Sequence, residues 1–135
     1  MKKIKFITDS LSDMPKQIAD KYNIEVLPLT VRFGTEEYRD GVDLSSEEFY
    51  KKLKETLNER NSFPANYLFK FIVPSSEDKI EQIEELFNYA GAVINKTTSK
   101  TGKFTSVSIQ LIMKSADDII KKYQEAENIE GIISL

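Results

Sequence analysis

The sequence predicts an α/β (α+β) protein in which a βαββα segment precedes a complete βαββαβ unit at residues 67–135. In some segments apolar residues alternate with a period of two, and in others they recur every three or four residues, as strands and helices respectively require. Ser-x-x-acid pairs mark several helix starts. The length of 135 residues, with 40% hydrophobic and 30% charged residues, is typical of one soluble globular domain or two very small ones.

The chain begins with a predicted strand, turn and helix. Residues 3–8 form a short β-type run, and the helix that follows extends through residue 22. Ser12 is the expected N-cap of this helix, with Pro15 in its first turn, where a missing N–H group costs little. We therefore expect a strand–helix pair at the start.

A longer apolar run at 24–33 is predicted as one strand, and Pro28 within it indicates an edge position or a bend. Alternate apolar side chains are expected on one face of that strand: Leu27, Leu29, Val31 and Phe33. A hairpin turn and a short return strand follow. The next helix has a capping box, Ser45 with Glu48, and should end before Pro64.

From residue 67 onward, strands and helices follow in the order β-α-β-β-α-β. The four predicted strands are 67–74, 92–99, 104–113 and 129–135. Ser75 with Asp78, and Ser115 with Asp118, are the expected caps of the two helices. This order is that of a ferredoxin-like fold, with two helices on one face of a four-stranded antiparallel sheet. The first and third strands are the most apolar, so we expect them to be central.

Composition excludes several kinds of chemistry. The chain has no cysteine and no histidine, which removes thiolate nucleophiles, Ser-His-Asp mechanisms and the commonest zinc ligands. We therefore expect no enzyme, no cofactor and no metal. The net charge of −3 disfavours a general affinity for nucleic acid. No apolar run approaches the roughly 20 residues of a membrane helix, so a cytoplasmic location without membrane insertion is expected.

The front of the chain resembles the DegV family of bacterial fatty-acid-binding proteins. Three motifs carry the resemblance over roughly residues 3–55: the "TDS…D.P" opening, the "PL.V.F" run and the "Y.DG.DL...EFY..L" segment. The resemblance implies a Rossmann-like start and a fatty acid held between two domains, with its carboxylate near hydroxyl side chains. Later family motifs are not found within these residues.

The back of the chain, roughly residues 47–135, resembles the small YbeD-like family of unknown function. The "FP..Y.FK.I" strand entry, the "SK.GKY.S" loop and the "G....L" ending carry this resemblance, although Phe104 stands where that loop has Tyr. It implies a ferredoxin-like fold related in shape to ACT regulatory domains, which agrees with the periodicity. We therefore divide the chain into a DegV-like fragment at 1–46 and a YbeD-like domain at 47–135, with the shared helix 45–60 as the seam.

Two resemblances that meet in one helix lead to three function hypotheses. The first is a non-enzymatic regulatory or interaction module of unknown ligand. The second is a fatty-acid-binding protein of DegV type, weakened by the motifs that are not found. The third is a recombined or engineered chimera without its own activity. We also expect the two parts to share one core, because so short a front segment buries little surface alone.

By its resemblance to the DegV family, the chain has candidate lipid-site residues at Thr8, Asp9 and Ser10. The alternative is a strand-to-helix turn in which Asp9 or Ser12 satisfies free backbone N–H groups.

The one basic, hydroxyl-rich loop of the chain gives a second candidate site. Backbone N–H groups at such a turn, together with lysines, could hold an anion, and the alternative is a solvated hairpin. The candidate residues are Lys96, Ser99, Lys100, Thr101, Gly102 and Lys103. Clustered carboxylates at 39–48 do not have calcium-loop spacing and are expected to serve a turn and a helix N-terminus.

A third candidate is the sheet face of the ferredoxin-like unit that its helices leave uncovered. The side chains expected there are Leu68, Lys70, Ile72, Ser106, Ser108, Gln110 and Ile112. This face could bind a protein partner or a second copy of the chain, or the front segment could cover it.

Overall fold

A computed structural model describes residues 3–12, 14–88 and 91–135. Asp13, the second acidic residue of the "TDS…D.P" opening, lies outside these ranges. The chain divides into two compact units, Met1–Thr56 and Leu57–Leu135. The domain boundary at 46/47 and the shared core remain predictions.

The first unit begins with two parallel strands, β1 (Phe6–Asp9) and β2 (Ile24–Leu27). A single 3-10 turn at Ser10–Ser12 and helix α1 (Lys16–Tyr22) connect them. Parallel strands need a crossover connection of this kind, because a tight turn can only reverse the chain. The unit therefore starts as an α/β protein does.

Helix α1 begins later than its predicted cap. Its N-cap residue is Pro15, while the Ser12 hydroxyl donates to the Asp9 carbonyl at 2.8 Å. Ser12 is used inside the 3-10 turn because short hydroxyl side chains readily bond to their own local backbone. The predicted cap at Ser12 is therefore wrong. The helix ends at Asn23, whose φ of 53° lies in the left-handed region that asparagine tolerates.

The single long strand predicted around Pro28 is in fact two strands in different sheets. β3 (Thr30–Phe33) pairs antiparallel with β4 (Glu36–Arg39) and not with β1. Pro28 has no N–H group to donate to a ladder, so the chain leaves one sheet there and enters the next. The predicted alternation fails at Leu27 and Leu29, which are 48% and 37% exposed, but holds within β3 at Val31 and Phe33.

Helix α2 (Ser46–Arg60) confirms the predicted capping box. The Ser45 hydroxyl accepts a hydrogen bond from the Glu48 N–H at 3.3 Å, and the Glu48 carboxylate accepts one from the Ser45 N–H at 2.9 Å. Within the first unit, the helix packs on the β3–β4 hairpin, where the ring centroids of Phe49 and Phe33 lie 5.7 Å apart.

The second unit contains a four-stranded antiparallel sheet in the order β6-β7-β5-β8. Its strands are β5 (Ala65–Pro74), β6 (Val93–Thr98), β7 (Phe104–Met113) and β8 (Ile133–Ser134). β5 and β7 pair over their full ten residues and occupy the centre, as predicted. With α3 (Glu77–Leu86) and α4 (Ala116–Ala126) between the strands, this is the ferredoxin-like order.

The core of this unit lies between the sheet and its two helices. Inward residues of β5 and β7 alternate with exposed ones, as the period-two pattern predicted. Helix α3 contributes the buried Ile83, and α4 contributes Ile119 and Ile120. The largest fully buried side chains are Phe69, Phe71, Val73, Ile83, Phe87, Val107, Ile109 and Ile119.

Two predicted boundaries of this unit differ in the structure. The N-cap residue of α3 is Ser76, not Ser75, whose hydroxyl instead hydrogen-bonds that of the buried Thr105 at 2.8 Å. A buried hydroxyl without a partner is costly, so this bond takes precedence over capping. The cap of α4 is confirmed, since the Ser115 hydroxyl accepts from the Asp118 N–H at 3.1 Å.

The last strand is much shorter than predicted. The Ile129 and Ile132 N–H groups bond to carbonyls three residues earlier, so a turn replaces the first half of the expected strand. Gly131 in this turn has a φ of 79°, and a Cβ there would lie 3.1 Å from the Pro74 ring. Both facts require glycine. Ile133–Ser134 pairs with β5, and the Leu135 N–H donates to the Lys70 carbonyl at 2.9 Å.

Candidate functional site

The DegV-like candidates Thr8, Asp9 and Ser10 lie at and just beyond the carboxyl end of β1. Asp9 Oδ1 accepts a hydrogen bond from the Leu11 N–H at 3.1 Å, as the turn interpretation expects. The Ser10 hydroxyl accepts one from the Leu29 N–H at 3.0 Å, which ties the turn to the exit of β2. Asp9 and Ser10 thus have local structural roles, although the Ser10 hydroxyl keeps its own proton for a further bond.

Exposed apolar residues lie at the same edge of the sheet, although the ladder places Leu27 on the face opposite to that of Thr8. Leu11 and Leu27 are 59% and 48% exposed, and Leu27 lies directly opposite Asp9 in the β1–β2 ladder. The carboxyl ends of parallel strands are the usual ligand-binding edge of α/β sheets. The exposed carboxylate of Asp9 opposes an anionic ligand here, because like charges repel.

The predicted anion-binding loop is the turn between β6 and β7. The Ser99 N–H donates to the Phe104 carbonyl at 2.7 Å, and the Gly102 N–H donates to the Ser99 carbonyl at 2.9 Å. Gly102 has a φ of 72°, so the turn needs glycine there. The Ser99 hydroxyl accepts from the Phe104 N–H at 3.2 Å and lies 3.4 Å from that of Thr101. Ser99 therefore shapes the loop from within.

The three lysines of this candidate set do not lie in equivalent surroundings. Lys96 lies on β6, and its Nζ contacts the Glu84 carboxylate at 2.7 Å. Lys100 and Lys103 are exposed on the loop itself. The Lys103 carbonyl accepts from the Ser75 N–H at 2.9 Å, which ties the loop to the end of β5. Two of the candidate lysines therefore lie on the loop itself, and Glu84 holds the third on β6.

The sheet face directed away from α3 and α4, called the outer face, carries the residues that the sequence placed there. Leu68 and Ile112 are 56% and 70% exposed. Across the central strands, Leu68 lies opposite Gln110, Lys70 opposite Ser108 and Ile72 opposite Ser106. The predicted residues of the outer face therefore have apolar, amide and hydroxyl side chains, and Lys70 is the one charged residue among them.

The carboxylates at 39–48 have the structural roles that were expected of them. Arg39 donates to Asp43 from both its guanidinium and its backbone N–H, each at 2.9 Å. These bonds lower the pKa of Asp43 to about 2. Glu48 belongs to the capping box of α2, and its bonds to Ser45 lower its pKa. In the part of the chain that the structure describes, no group of three or more acidic side chains could hold a metal ion.

A shallow recess of about 320 Å³ on the helical side was not predicted from the sequence. It opens between α3 and α4, and its lining residues are Gln82, Glu85, Leu86, Glu125, Asn128 and Ile129. Lys122 Nζ, at its border, contacts Glu125 at 2.8 Å and the Leu86 carbonyl at 2.9 Å. No sequence signal could have found it, because its residues come from segments far apart in the chain.

Within the described ranges of the chain, no helix is both long enough and apolar enough to cross a membrane.

Two family models agree with the two-part organisation. A family model described as an uncharacterised protein of the DegV family matches residues 3–83, and one described as a protein of unknown function, DUF493, matches residues 58–135. A solved structure of protein HP0495 from H. pylori covers 56% of this chain and 85% of its own, at 15% identity and a TM-score of 0.46.

Curated relatives are DegV domain-containing proteins. TTE1491 of Caldanaerobacter subterraneus subsp. tengcongensis is 51% identical over 55 residues, which are 41% of this chain and 20% of that protein. CA_C0701 of Clostridium acetobutylicum is 30% identical over 126 residues, 89% of this chain and 40% of that protein. CPE1310 of Clostridium perfringens is 31% identical over 122 residues, with the same shares. The chain thus spans less than half the length of these relatives.

Each family model covers more than half of the chain. DUF493 is the YbeD-like family, so the predicted pair of resemblances is confirmed. The two matches overlap at residues 58–83, whereas the sequence motifs overlapped at 47–55. The chain therefore belongs to the DegV family through residues 3–83 and to the DUF493 family through residues 58–135.

Proposed function

We propose that the chain is a small cytoplasmic regulatory or interaction module, not an enzyme, and that its outer face binds a protein partner. The observation that carries this proposal is the exposure of Leu68 and Ile112 on the outer face of the sheet. Apolar side chains grouped on an otherwise polar surface are a common mark of interaction sites.

The character of the outer face favours a protein over other ligands. A small-molecule site is usually a concave pocket, whereas this is an open sheet face. Single-stranded nucleic acid is bound by several aromatic side chains on a positive surface. Among the outward residues of β5 and β7, Phe104 is the one aromatic residue and Lys70 the one charge. Apolar and uncharged polar side chains together are typical of the centre of a protein interface.

Site-specific photo-crosslinking in cells tests this proposal. A photoreactive residue placed at Leu68 or at Ile112 should give the same discrete protein adduct. Gln124, exposed on α4, is the matched control position and should not give that adduct. Identical adduct patterns at the control position, or none at the outer face, would contradict the proposal.

A second candidate is fatty-acid binding at the carboxyl ends of β1 and β2. The observation that favours it is a pair of exposed leucines at this edge: Leu11, next to Ser10 in the chain, and Leu27, opposite Asp9 in the ladder. In this arrangement the hydroxyls would hydrogen-bond the carboxylate, and the leucines would contact the chain of the lipid.

Calorimetric titration with palmitate tests the lipid hypothesis. One-to-one saturable binding that is lost in a Thr8→Val, Ser10→Ala double variant would support it. Asp9→Asn should strengthen such binding, since it removes the opposing charge. If neither palmitate nor a protein partner binds, a recombined chimera without its own activity is the remaining hypothesis.

The β6–β7 loop is proposed as an additional anion site that depends on Lys100 and Lys103. Inorganic phosphate should shift the backbone NMR signals of this loop, and Lys100→Ala with Lys103→Ala should abolish those shifts. Lys121→Ala, on the exposed side of α4, is the control and should leave them unchanged. An absence of shifts in the parent chain would leave the loop as a solvated hairpin.

A further inference from the structure

Strand β6 has an edge without a partner among the described residues. It is the outermost strand of the order β6-β7-β5-β8. The Ser99 N–H bonds to the Phe104 carbonyl, which continues the β6–β7 register. Hydrogen-bonded pairs alternate along an antiparallel ladder, so Val93, Asn95 and Thr97 also bond toward β7. The backbone groups of the residues between them, Ile94, Lys96 and Thr98, therefore point outward.

This edge lacks the features that usually protect an edge strand. β6 has no proline and no bulge, since its six residues pair with β7 in continuous register. Four of the six are β-branched and favour strand pairing: Val93, Ile94, Thr97 and Thr98. The one charge on the strand, Lys96, is balanced by Glu84 at 2.7 Å. The opposite edge strand, β8, is only two residues long.

Geometry limits how β6 can pair with another copy of itself. Residues whose backbone groups point outward must lie opposite residues of the same kind in the second copy. Two antiparallel registers meet this condition with the greatest overlap, one centred on Asn95 and the other on Lys96. Centring on Lys96 puts two lysines side by side, which is unfavourable. Centring on Asn95 puts Lys96 opposite Ile94, and Val93 opposite Thr97. Charge therefore selects the register centred on Asn95.

We propose that two copies of the chain associate through β6, antiparallel, with Asn95 at the two-fold axis, so that their sheets join into one of eight strands. This self-association goes beyond the proposed function, because it concerns the edge of the sheet and does not depend on what binds the outer face. A symmetric interface of this kind uses the same residues from both copies.

Single-cysteine variants test the register on a chain that has no cysteine of its own. In the proposed pairing, the two Asn95 Cα atoms lie about 4.5 Å apart, as in non-hydrogen-bonded antiparallel pairs, within the disulfide range of about 4.4–6.8 Å. Asn95→Cys should therefore give a disulfide-linked dimer on mild oxidation. Thr97→Cys alone should not, whereas Thr97→Cys mixed with Val93→Cys should.

Other cross-linking results would overturn the proposal. Cross-linking of the Asn95 and Thr97 variants to the same extent would indicate random collision. Cross-linking of a mixture of Asn95→Cys and Thr97→Cys, without self-linking of Asn95→Cys, would place the axis at Lys96. No cross-linking in any variant would exclude the pairing.

Sedimentation of proline variants tests the association independently. The parent chain should sediment at twice its mass of 15.5 kDa. Lys96→Pro removes an N–H that only the second copy would use, so it should give a monomer with an unchanged circular dichroism spectrum. Lys96→Thr, which keeps the N–H, should remain a dimer. A monomeric parent chain that still cross-links to a partner at Leu68 would reject this inference and leave the proposed function intact.

Discussion

Neighbouring residues of β5 differ in energy because they lie on opposite faces of the sheet. Phe69 is fully buried, and its ring centroid lies 4.8 Å from that of Phe87, whereas Leu68 is 56% exposed. Phe69→Ala should lower the free energy of unfolding by about 3–5 kcal/mol, and Leu68→Ala should change it by less than about 0.5 kcal/mol. Urea denaturation of both variants measures the difference. Equal losses would mean that Leu68 is also part of a core.

The ion pair between Asp43 and Arg39 makes the stability of the first unit depend on pH. The guanidinium and N–H of Arg39 stabilise the charged form, which lowers the pKa of Asp43 from 3.8 to about 2. A lowered folded-state pKa means that the stabilisation is present above about pH 4 and is lost as the pH falls through 2. The Asp43 carboxyl carbon, followed by NMR, should titrate near pH 2. In Arg39→Ala it should titrate higher but still below its ordinary value, because the backbone N–H of residue 39 remains as a donor. An unchanged midpoint would contradict the role of the guanidinium.

At the scale of elements, two helix starts differ in whether the cap side chain is bonded. The Ser115 hydroxyl accepts from the Asp118 N–H, whereas the Ser76 side chain makes no capping bond at α3. Ser115→Ala should therefore lower the free energy of unfolding by about 1 kcal/mol. Ser76→Ala is the matched control and should cost clearly less. Equal costs in urea denaturation would show that the capping bond contributes little.

The same elements show what local pattern could predict. β5 and β7 were predicted nearly to the residue, because alternating burial leaves a period-two signal over ten residues. The cap of α2 was predicted because both partners, Ser45 and Glu48, are close in sequence. Ser75 was assigned to a cap wrongly because its actual partner, Thr105, is 30 residues away.

At the scale of the whole molecule, the two units differ in how much apolar surface they bury. In the first unit, Ala19 and Leu44 are the only described apolar residues that are buried, while Phe6, Ile7 and Tyr22 are more than half exposed. Fully buried large side chains are concentrated in the second unit. Segments with few buried apolar contacts open more readily.

Native-state hydrogen exchange should therefore distinguish the units. Backbone amides of β1–β4 should exchange much faster than those of β5 and β7, because opening the first unit exposes less buried apolar surface. NMR measures both sets in one sample, and urea should speed the exchange of the β5 and β7 amides more strongly. Uniform protection along the chain would show that the two units open together, as a shared core requires.

The candidate sites were predictable only in part. Hydroxyl and lysine residues could be found in the sequence, but their partners could not, because hydrogen bonds such as Ser10 to Leu29 and ion pairs such as Lys96 to Glu84 join distant segments. The outer face could be predicted because successive strand residues point to opposite faces. Once alternate residues are assigned to the core, the residues between them must form the outer face. The recess between α3 and α4 could not.

The sequence by itself determined the two-part organisation, the ferredoxin-like order and the buried face of each central strand, because these depend on local period and on the order of elements. Tertiary structure alone decided three features. The run around Pro28 separates into two sheets, and Ser75 bonds to Thr105 instead of capping α3. Strand β8 is very short, so β6 is the longer free edge of its sheet. Each of these depends on which distant backbone or hydroxyl group satisfies a given donor, and that choice is made only when the segments meet in the folded chain.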